Sequence, residues 1–387
     1  MVKFFGGIMK TIKLSCAHAL FKYLIAQKTI IDGKKAPLFP GAFAIYGHGN
    51  VACLGQAMEE FQSDLPGYRG HHEQAMALTG IGYARAMRRK QIFIATSSVG
   101  PGATNMITAA ASATINRIPV LLFPGDFFSK RTASPLLQQT EYSYTQDMSA
   151  NDCFKPISKY WDRINRPEQL ISSMLEAMRV LTSPSETGAV TISLPHDVQA
   201  ETYEFPDEFF QKRIWNIPRL IPDKSLISKA IETIRKSKRP MIISGGGVIY
   251  SEAEKELKNF IEKTGIPVAE TFAGKGALHY KHELNLGAMG ATGTKGANEI
   301  SKDADLVIGI GTRYSDFTSA SKSAWQNPKV TFININITEL DVFKQSAIPL
   351  QGDAKETLKI ISKELDGYST DYTYINKIKS LNKEWDK

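Results

Sequence analysis

The stretch "EQAMALTGIGYARAMRRKQIFIATSSVGPGATN", residues 73–105, decides the fold. Ala75, Met76, Ala77, Leu78, Ile81, Ala84 and Met87 give its first part the composition of a helix meant to be buried. "RAMRRK" (85–90) gathers cations at the end of that helix, where they complement its negative pole. "QIFIATSS" then reads as a strand covered on both faces. "SSVGPGATN" reads as a glycine turn entering another helix. Helix, buried strand, glycine loop and helix in succession predict an α/β fold, a doubly wound parallel sheet.

The same alternation runs outward from this stretch. Upstream, "HALFKYLIAQ" predicts a helix, "AFAIYG" a strand ending in a glycine turn, and "NVACLGQAMEEF" a helix with Asn50 as its N-cap. Downstream, "TNMITAAASATI" predicts a helix packed through small residues, and "PVLLFPGD" and "GAVTISLP" two buried strands. A second alternating block follows: "RPMIISGGG", the helix "EAEKELKNFIEKTG" closed by Gly265, then "IPVAET", "ADLVIGIGTR" and "VTFININ". Between the blocks, "ETYEFPDEFFQKRIWNIPRLIPDK" is rich in proline, aromatics and charge without a clean period. The expected organisation is an extension at 1–8, a first α/β domain at 9–200, a linker at 201–225, a second α/β domain at 226–365 and a polar linker at 366–387. Both domains are expected to be doubly wound parallel sheets, the second Rossmann-like.

Composition bounds the function. Of 387 residues, 42% are apolar and 22% charged, ordinary values for a globular protein. The longest apolar runs, such as "IPVLLF" (118–123), are too short to span a bilayer, so no membrane partner is expected. "MVKFFGGIMK" lacks the apolar core of a signal peptide, and Met9 begins a more ordinary start. Cys16, Cys53 and Cys153 lie far apart with no C-x-x-C, the pattern of reduced thiols in a cytoplasmic protein. The net charge of +8 gathers in "RAMRRK" and "KSKRP" (236–240), without the interleaved aromatics that stack on bases. No nucleic-acid partner is implied, and a basic surface suits a small anionic ligand.

Candidate functional residues gather in the first block. "YGHGN" (Tyr46, Gly47, His48, Gly49, Asn50) and "SSVGPGATN" (with Gly100, Gly102 and Asn105) each follow a strand and precede a helix. Strand C-termini are where doubly wound sheets bind ligands, although glycine also serves merely to turn the chain. "GGG" (245–247) and "GIGTR" (309–313) look like dinucleotide loops, but neither completes G-x-G-x-x-G, and a structural turn is the better reading. His18, His196, His279 and His282 are scattered without metal-ligand spacing, and no metal ligand is assigned. Asp126 and Asp197 follow strands and could cap helices. Glu73, at the mouth of an apolar, small-residue helix, is the residue that stands out. A carboxylate in a poorly hydrated place needs a partner or a ligand, whereas at a helix N-terminus it can also be a simple dipole partner.

Taken in order, "YGHGN", "YRGHHEQAMALTGIGYARA", "ATSSVGPGATN", "NRIPVLLFPGD" and "GAVTISLPHDVQAE" resemble the thiamine-diphosphate-dependent enzymes of the acetohydroxyacid synthase and pyruvate decarboxylase group. The resemblance implies a pyrimidine-binding domain followed by a central domain. It implies that Glu73 is catalytic, hydrogen-bonding a ring nitrogen of the cofactor's aminopyrimidine. Tyr46 to Asn50, Gly100, Gly102 and Asn105 would bind cofactor. His71, His72, Gln138 and Gln139 would lie near substrate. "TSSVGPG" stands where the synthases have a shorter "TSGPG", and "LQQ" (137–139) where they have "FQE". With "NDCFKPISKYWDRINRPEQL" (151–170), these variants resemble the branch that hydrolyses a carbon–carbon bond of a cyclic diketone. A synthase or decarboxylase of 2-keto acids, and a non-catalytic assembly subunit, are the alternatives.

The resemblance further implies a third domain, in which Gly-Asp-Gly and a later asparagine hold Mg2+ against the diphosphate. "PGDF" (124–127) and "QGDA" (351–354) lack the second glycine. The diphosphate and Mg2+ are therefore expected to be held by protein outside these residues, in a homo-oligomer or a separate chain. The chain alone is expected to bind cofactor poorly and to be inactive, and no dinucleotide is expected in the central domain.

Overall fold

The computed structural model describes residues 10–385, so the expected extension at 1–8 lies outside the described residues. The chain forms two compact units, residues 1–217 and 218–387.

The first unit is built on a six-stranded, all-parallel sheet. Its spatial order is Gly67–Arg69, Ala42–Ala44, Ile94–Ser97, Val120–Asp126, Ala189–Pro195 and Tyr160–Arg163. The strands Val120–Asp126 and Ala189–Pro195 are buried along their whole length, because helices cover both faces. One face packs against a cluster containing Leu20, Phe21, Leu24, Met174 and Met178. The other packs against a narrower one of Ala77, Ile81, Ala84, Ala109, Ala110 and Ala113. The helices Glu73–Ala86 and Ile107–Asn116 thus meet through alanines, as their small-residue composition implies. The chain leaves the strand Ala42–Ala44 toward one edge and returns at Ile94–Ser97 on the other side, so the topological switch point lies between these two strands.

The second unit has its own six-stranded parallel sheet, ordered Asn285–Ala288, Val268–Glu270, Pro240–Ser244, Leu306–Ile310, Thr331–Asn336 and Ile348–Gln351. In chain order this is 3-2-1-4-5-6, the Rossmann arrangement, with its switch point between Pro240–Ser244 and Leu306–Ile310. Gly265 closes the helix Glu254–Thr264 in the left-handed conformation at φ 71°, as its position after the periodic residues implies.

Two segments differ from their expected linkers. Thr202–Pro206 pairs antiparallel with Thr11–Ser15, and Arg213–Ile214 pairs with Gln27–Lys28. Trp215 donates its indole N–H to Gln27 Oε1 at 2.9 Å, so most of 201–217 is part of the first unit. The aromatics that looked like linker are ring contacts: Phe209 stacks on Tyr23 at 4.5 Å. The change of unit falls between Ile217 and Pro218. Likewise, within the expected polar linker at 366–387, Tyr372–Trp385 is a helix. Tyr374 and Ile378, four apart, are buried in the second unit's core, and the Tyr374 hydroxyl donates to Pro240 O at 3.1 Å. Only one narrow apolar stripe is present, which is why the segment reads as polar.

Candidate active site

The carboxyl ends of Ala42–Ala44 and Ile94–Ser97 carry the two glycine loops of the first unit, and these interlock. A Cβ on Gly47 would lie 2.5 Å from Ser98 Oγ, and one on Gly49 would lie 2.7 Å from Val99 Cγ1. Asn50 is fully buried and holds the first loop from inside. Its Oδ1 accepts the Gly47 N–H at 2.9 Å, and its Nδ2 donates to Ile45 O at 3.0 Å and Thr96 Oγ1 at 3.3 Å. Asn50 is therefore not the helix N-cap expected of it. The helix begins later, at Leu54, with Cys53 at the cap position and no side-chain cap bond.

The second loop turns at Gly100, whose φ of +60° favours glycine. A Cβ there would also lie 1.9 Å from the carbonyl oxygen of Gln138. The "GPG" turn and the "LQQ" segment, which are 38 residues apart in Gly100 and Gln138, are thus pressed together. Gln138 reaches the turn through its backbone.

Glu73 opens its helix, with His72 at the N-cap in extended conformation. It is half-buried. Asn105, from the end of the second loop, donates its amide N–H to Glu73 Oε2 at 2.9 Å. The other oxygen, Oε1, faces Gly102: a Cβ added there would lie 3.2 Å from it. Among the described residues no donor reaches Oε1. The carboxylate is therefore oriented by Asn105, placed at the helix N-terminus, and bordered by a glycine that leaves its second oxygen accessible. Asn105 is thus an internal partner of Glu73. A motif reading cannot show that contact, because it depends on how the loop folds back.

The remaining candidates divide. His71 and His72 are exposed, and the N-cap His72 makes no side-chain cap bond, so the structure does not bring them against Glu73. Tyr46 is 42% exposed, and its hydroxyl meets Met58 Sδ at 3.5 Å. Its phenol is nonetheless held above its ordinary range by partial burial and by Glu59. His48 has a buried Nε2 without a hydrogen-bond partner. Gln139 lines a separate cavity under the loop 127–148. Among the described residues there is no cluster of histidine, cysteine and carboxylate side chains able to hold a metal ion.

Several residues of the site escaped the sequence reading. Gln199 is fully buried and donates to Gly49 O at 2.8 Å and Leu194 O at 2.9 Å, fixing the first loop from the opposite strand. An amide in the short run "HDVQA" was its only signal. His196 packs edge-on against Phe128 at 5.3 Å. Burial, and then the nearby His48, hold its imidazole below the usual histidine range, so it is neutral near pH 7. Asp126, taken as a possible cap, is a buried ion-pair partner: Arg163 Nε lies 2.8 Å away, and Ser193 donates its hydroxyl to the same carboxylate. Arg163 also reaches Asp152 at 3.0 Å and Ser149 Oγ at 2.9 Å. The segment 151–163 is thus the clamp that fixes the chain leaving the strand Val120–Asp126. Asp197 is not a cap either: it lies inside the first turn of the helix His196–Ala200, whose N-cap is Pro195, and it accepts from the Val198, Ser129 and Lys130 N–H groups at 3.0, 2.9 and 3.0 Å.

Residues 41–148 match the family described as thiamine pyrophosphate enzyme, N-terminal TPP binding domain. Residues 227–361 match thiamine pyrophosphate enzyme, central domain. With both domains in their order, the chain belongs to the thiamine pyrophosphate enzymes. Every loop described above, from Tyr46 to Gln139, falls within the first match. Among curated proteins the chain is similar to a 3D-(3,5/4)-trihydroxycyclohexane-1,2-dione hydrolase of Clostridium tetani (strain Massachusetts / E88), 52% identical over 381 residues. It is also 50% identical over 378 residues to the enzyme of the same name from Bacillus thuringiensis (strain Al Hakam). Each alignment covers 98% of this chain and 59% of the relative, so the chain spans about three-fifths of the length of the curated relatives it matches.

Proposed function

We propose that this chain is the pyrimidine-side and central part of a thiamine-diphosphate-dependent hydrolase that opens the ring of trihydroxycyclohexane-1,2-dione, giving 5-deoxyglucuronate in myo-inositol degradation. The observation that carries the reading is the Glu73 carboxylate, with Oε2 held by Asn105 and Oε1 open beside Gly102. The relatives' names supply the substrate, and the identity of 50–52% supports the transfer.

The residues present fit the pyrimidine end of the cofactor. An oriented carboxylate with one free oxygen can accept a hydrogen bond from, or exchange a proton with, a ring nitrogen. Gly102 leaves room for a flat ring where any side chain would crowd that oxygen. When bound, thiamine diphosphate supplies a nucleophilic thiazolium carbon and an electron sink. Glu73 holds the proton that such activation requires. Asn105 keeps the carboxylate aimed. The loop Tyr46–Asn50, fixed by Asn50 and Gln199, shapes the floor. His48 offers its unpartnered Nε2, and neutral His196 beside it can accept a proton.

Among the described residues no cluster of histidine, cysteine and carboxylate side chains could hold the Mg2+ ion. We assign the anchor for the diphosphate and Mg2+ to protein outside these residues. The exposure of Tyr46, Val51 and Tyr68, and of Leu78 on the Glu73 helix, supports a covering partner. Alone, the chain turns over nothing on this reading. Among the described residues no helix is long and apolar enough to cross a membrane, and a cytoplasmic setting suits the three free thiols.

The test is reconstitution. The chain is combined with the remaining C-terminal part of the Clostridium tetani relative, thiamine diphosphate and Mg2+, and offered the cyclic dione or pyruvate. Consumption of the dione with release of a ring-opened acid, requiring both polypeptides, is the expected result. Decarboxylation of pyruvate without attack on the dione would replace this reading with that of a 2-keto acid enzyme. No activity in a stably assembled mixture would support a non-catalytic subunit.

A further inference from the structure

We propose that the cavity beneath the loop 127–148 is a subsite for a neutral, polyhydroxylated six-membered ring. This rests on the reading above and adds to it the place where the substrate's ring is held.

Size comes first. The cavity measures about 470 Å³, within the range of small-molecule sites. Its lining sets the chemistry. Phe127 and Phe128 provide apolar surface, while Gln139, Tyr142 and Thr145 carry amide and hydroxyl groups that both donate and accept. Such a wall suits a ligand whose hydroxyls also do both, with the C–H face of a ring laid on the aromatics. The charges lining it are one of each sign, Arg131, which is paired with Asp147 at 2.6 Å, and Glu141, so the wall favours neither an anion nor a cation.

The apolar floor is firmly held. The Phe127 N–H donates to Asp126 at 2.9 Å, and Arg163 lies over the Phe127 ring at 5.1 Å. The Phe128 ring rests against His196. The loop is also tied to the cofactor side. Gln138, next to the lining Gln139, presses its carbonyl on Gly100, two residues before the glycine that borders Glu73. A ring seated here lies along the same loop that contacts the glycine turn.

The test needs neither cofactor nor turnover, so its failure leaves the Glu73 reading standing. Saturation-transfer NMR is run on the 387-residue chain with myo-inositol, a ring carrying six hydroxyls, as the probe. Glycerol serves as an acyclic polyol control and hexanoate as an anionic one. We expect transfer to myo-inositol above both controls, with affinity about tenfold weaker in Thr145→Val, which removes one hydroxyl while keeping its shape. Phe128→Ala, checked for folding by circular dichroism, is expected to weaken it as well. Transfer absent for myo-inositol, equal for glycerol, or undiminished in the folded Thr145→Val and Phe128→Ala proteins would overturn the assignment.

Discussion

The two units of this chain solve the same topological problem and reach opposite results. Each has a six-stranded parallel sheet, and each brings two glycine-bearing loops to its switch point. In the second unit the loops press backbone on backbone. A Cβ on Gly245 would lie 2.2 Å from Gly311 O, and one on Gly311, at φ +60°, would lie 2.4 Å from Gly247 Cα. These glycines of "GGG" and "GIGTR" let the two turns approach each other backbone to backbone. In the first unit, Gly47 and Gly49 interlock with side chains of Ser98 and Val99, while Gly102 borders a carboxylate. Glycine at a switch point permits close approach and does not say to what. What distinguishes the first unit is Glu73, placed at a helix N-terminus one loop away.

The second unit also carries a carboxylate at a strand end, Glu270, and the contrast extends to it. Glu270 is 7% exposed and accepts the Leu278 N–H at 3.4 Å. Burial holds its pKa above the ordinary range, against the pull of surrounding N–H donors. It is enclosed by its own unit, whereas Glu73 keeps one oxygen open.

Glycine substitutions sharpen this comparison most. Gly311→Ala forces a left-handed alanine into the Gly247 backbone and should destabilise the second unit by about 3 kcal/mol, read as an earlier unfolding transition in urea. The reconstituted ring opening per folded molecule should be unchanged. Gly102→Ala should do the reverse. Its melting should match the parent, while activity falls about tenfold as the methyl crowds Glu73 Oε1. If both variants lowered stability equally and neither touched catalysis, the two crevices would not differ in kind.

Smaller effects test the carboxylates. Asn105→Ala removes one hydrogen bond to Glu73, and kcat should fall roughly fivefold, about the worth of a single such bond. Glu270→Gln should matter least. A raised folded pKa means that the native state binds the proton more tightly. Stability therefore falls as pH rises from the ordinary value of 4.5 through the raised one, and stays lower above it. The variant should be slightly more stable than the parent at pH 7 and show a flatter pH profile in that window. A steeper profile would contradict the assignment of burial as the cause.

Much of this architecture is legible in the residues. "QIFIATSS", "PVLLFPGD" and "GAVTISLP" could only be covered strands, and the small residues after Glu73 match the alanine-packed helix that forms. The two loops stand out because each places glycines between a buried strand and a helix, although glycine alone does not separate a ligand loop from a turn. What was hidden has a common cause: it depends on contacts distant in sequence. Asn50 fits an N-cap by type but is drawn inward to Gly47 and Thr96. Gln199 reaches Gly49 across 150 positions. The Asp126–Arg163 pair and the helix Tyr372–Trp385, with only Tyr374 and Ile378 buried, carry no local period to read.

The role of Glu73 is tested most directly by the kcat of Glu73→Gln for ring opening in the reconstituted assembly, compared with the parent at equal cofactor saturation. Gln keeps the shape and can still meet Asn105, but it cannot hold the proton. A loss of about a thousandfold with assembly intact is the predicted result. Turnover within twofold of the parent would contradict it and leave Glu73 a helix-dipole partner with no part in the chemistry.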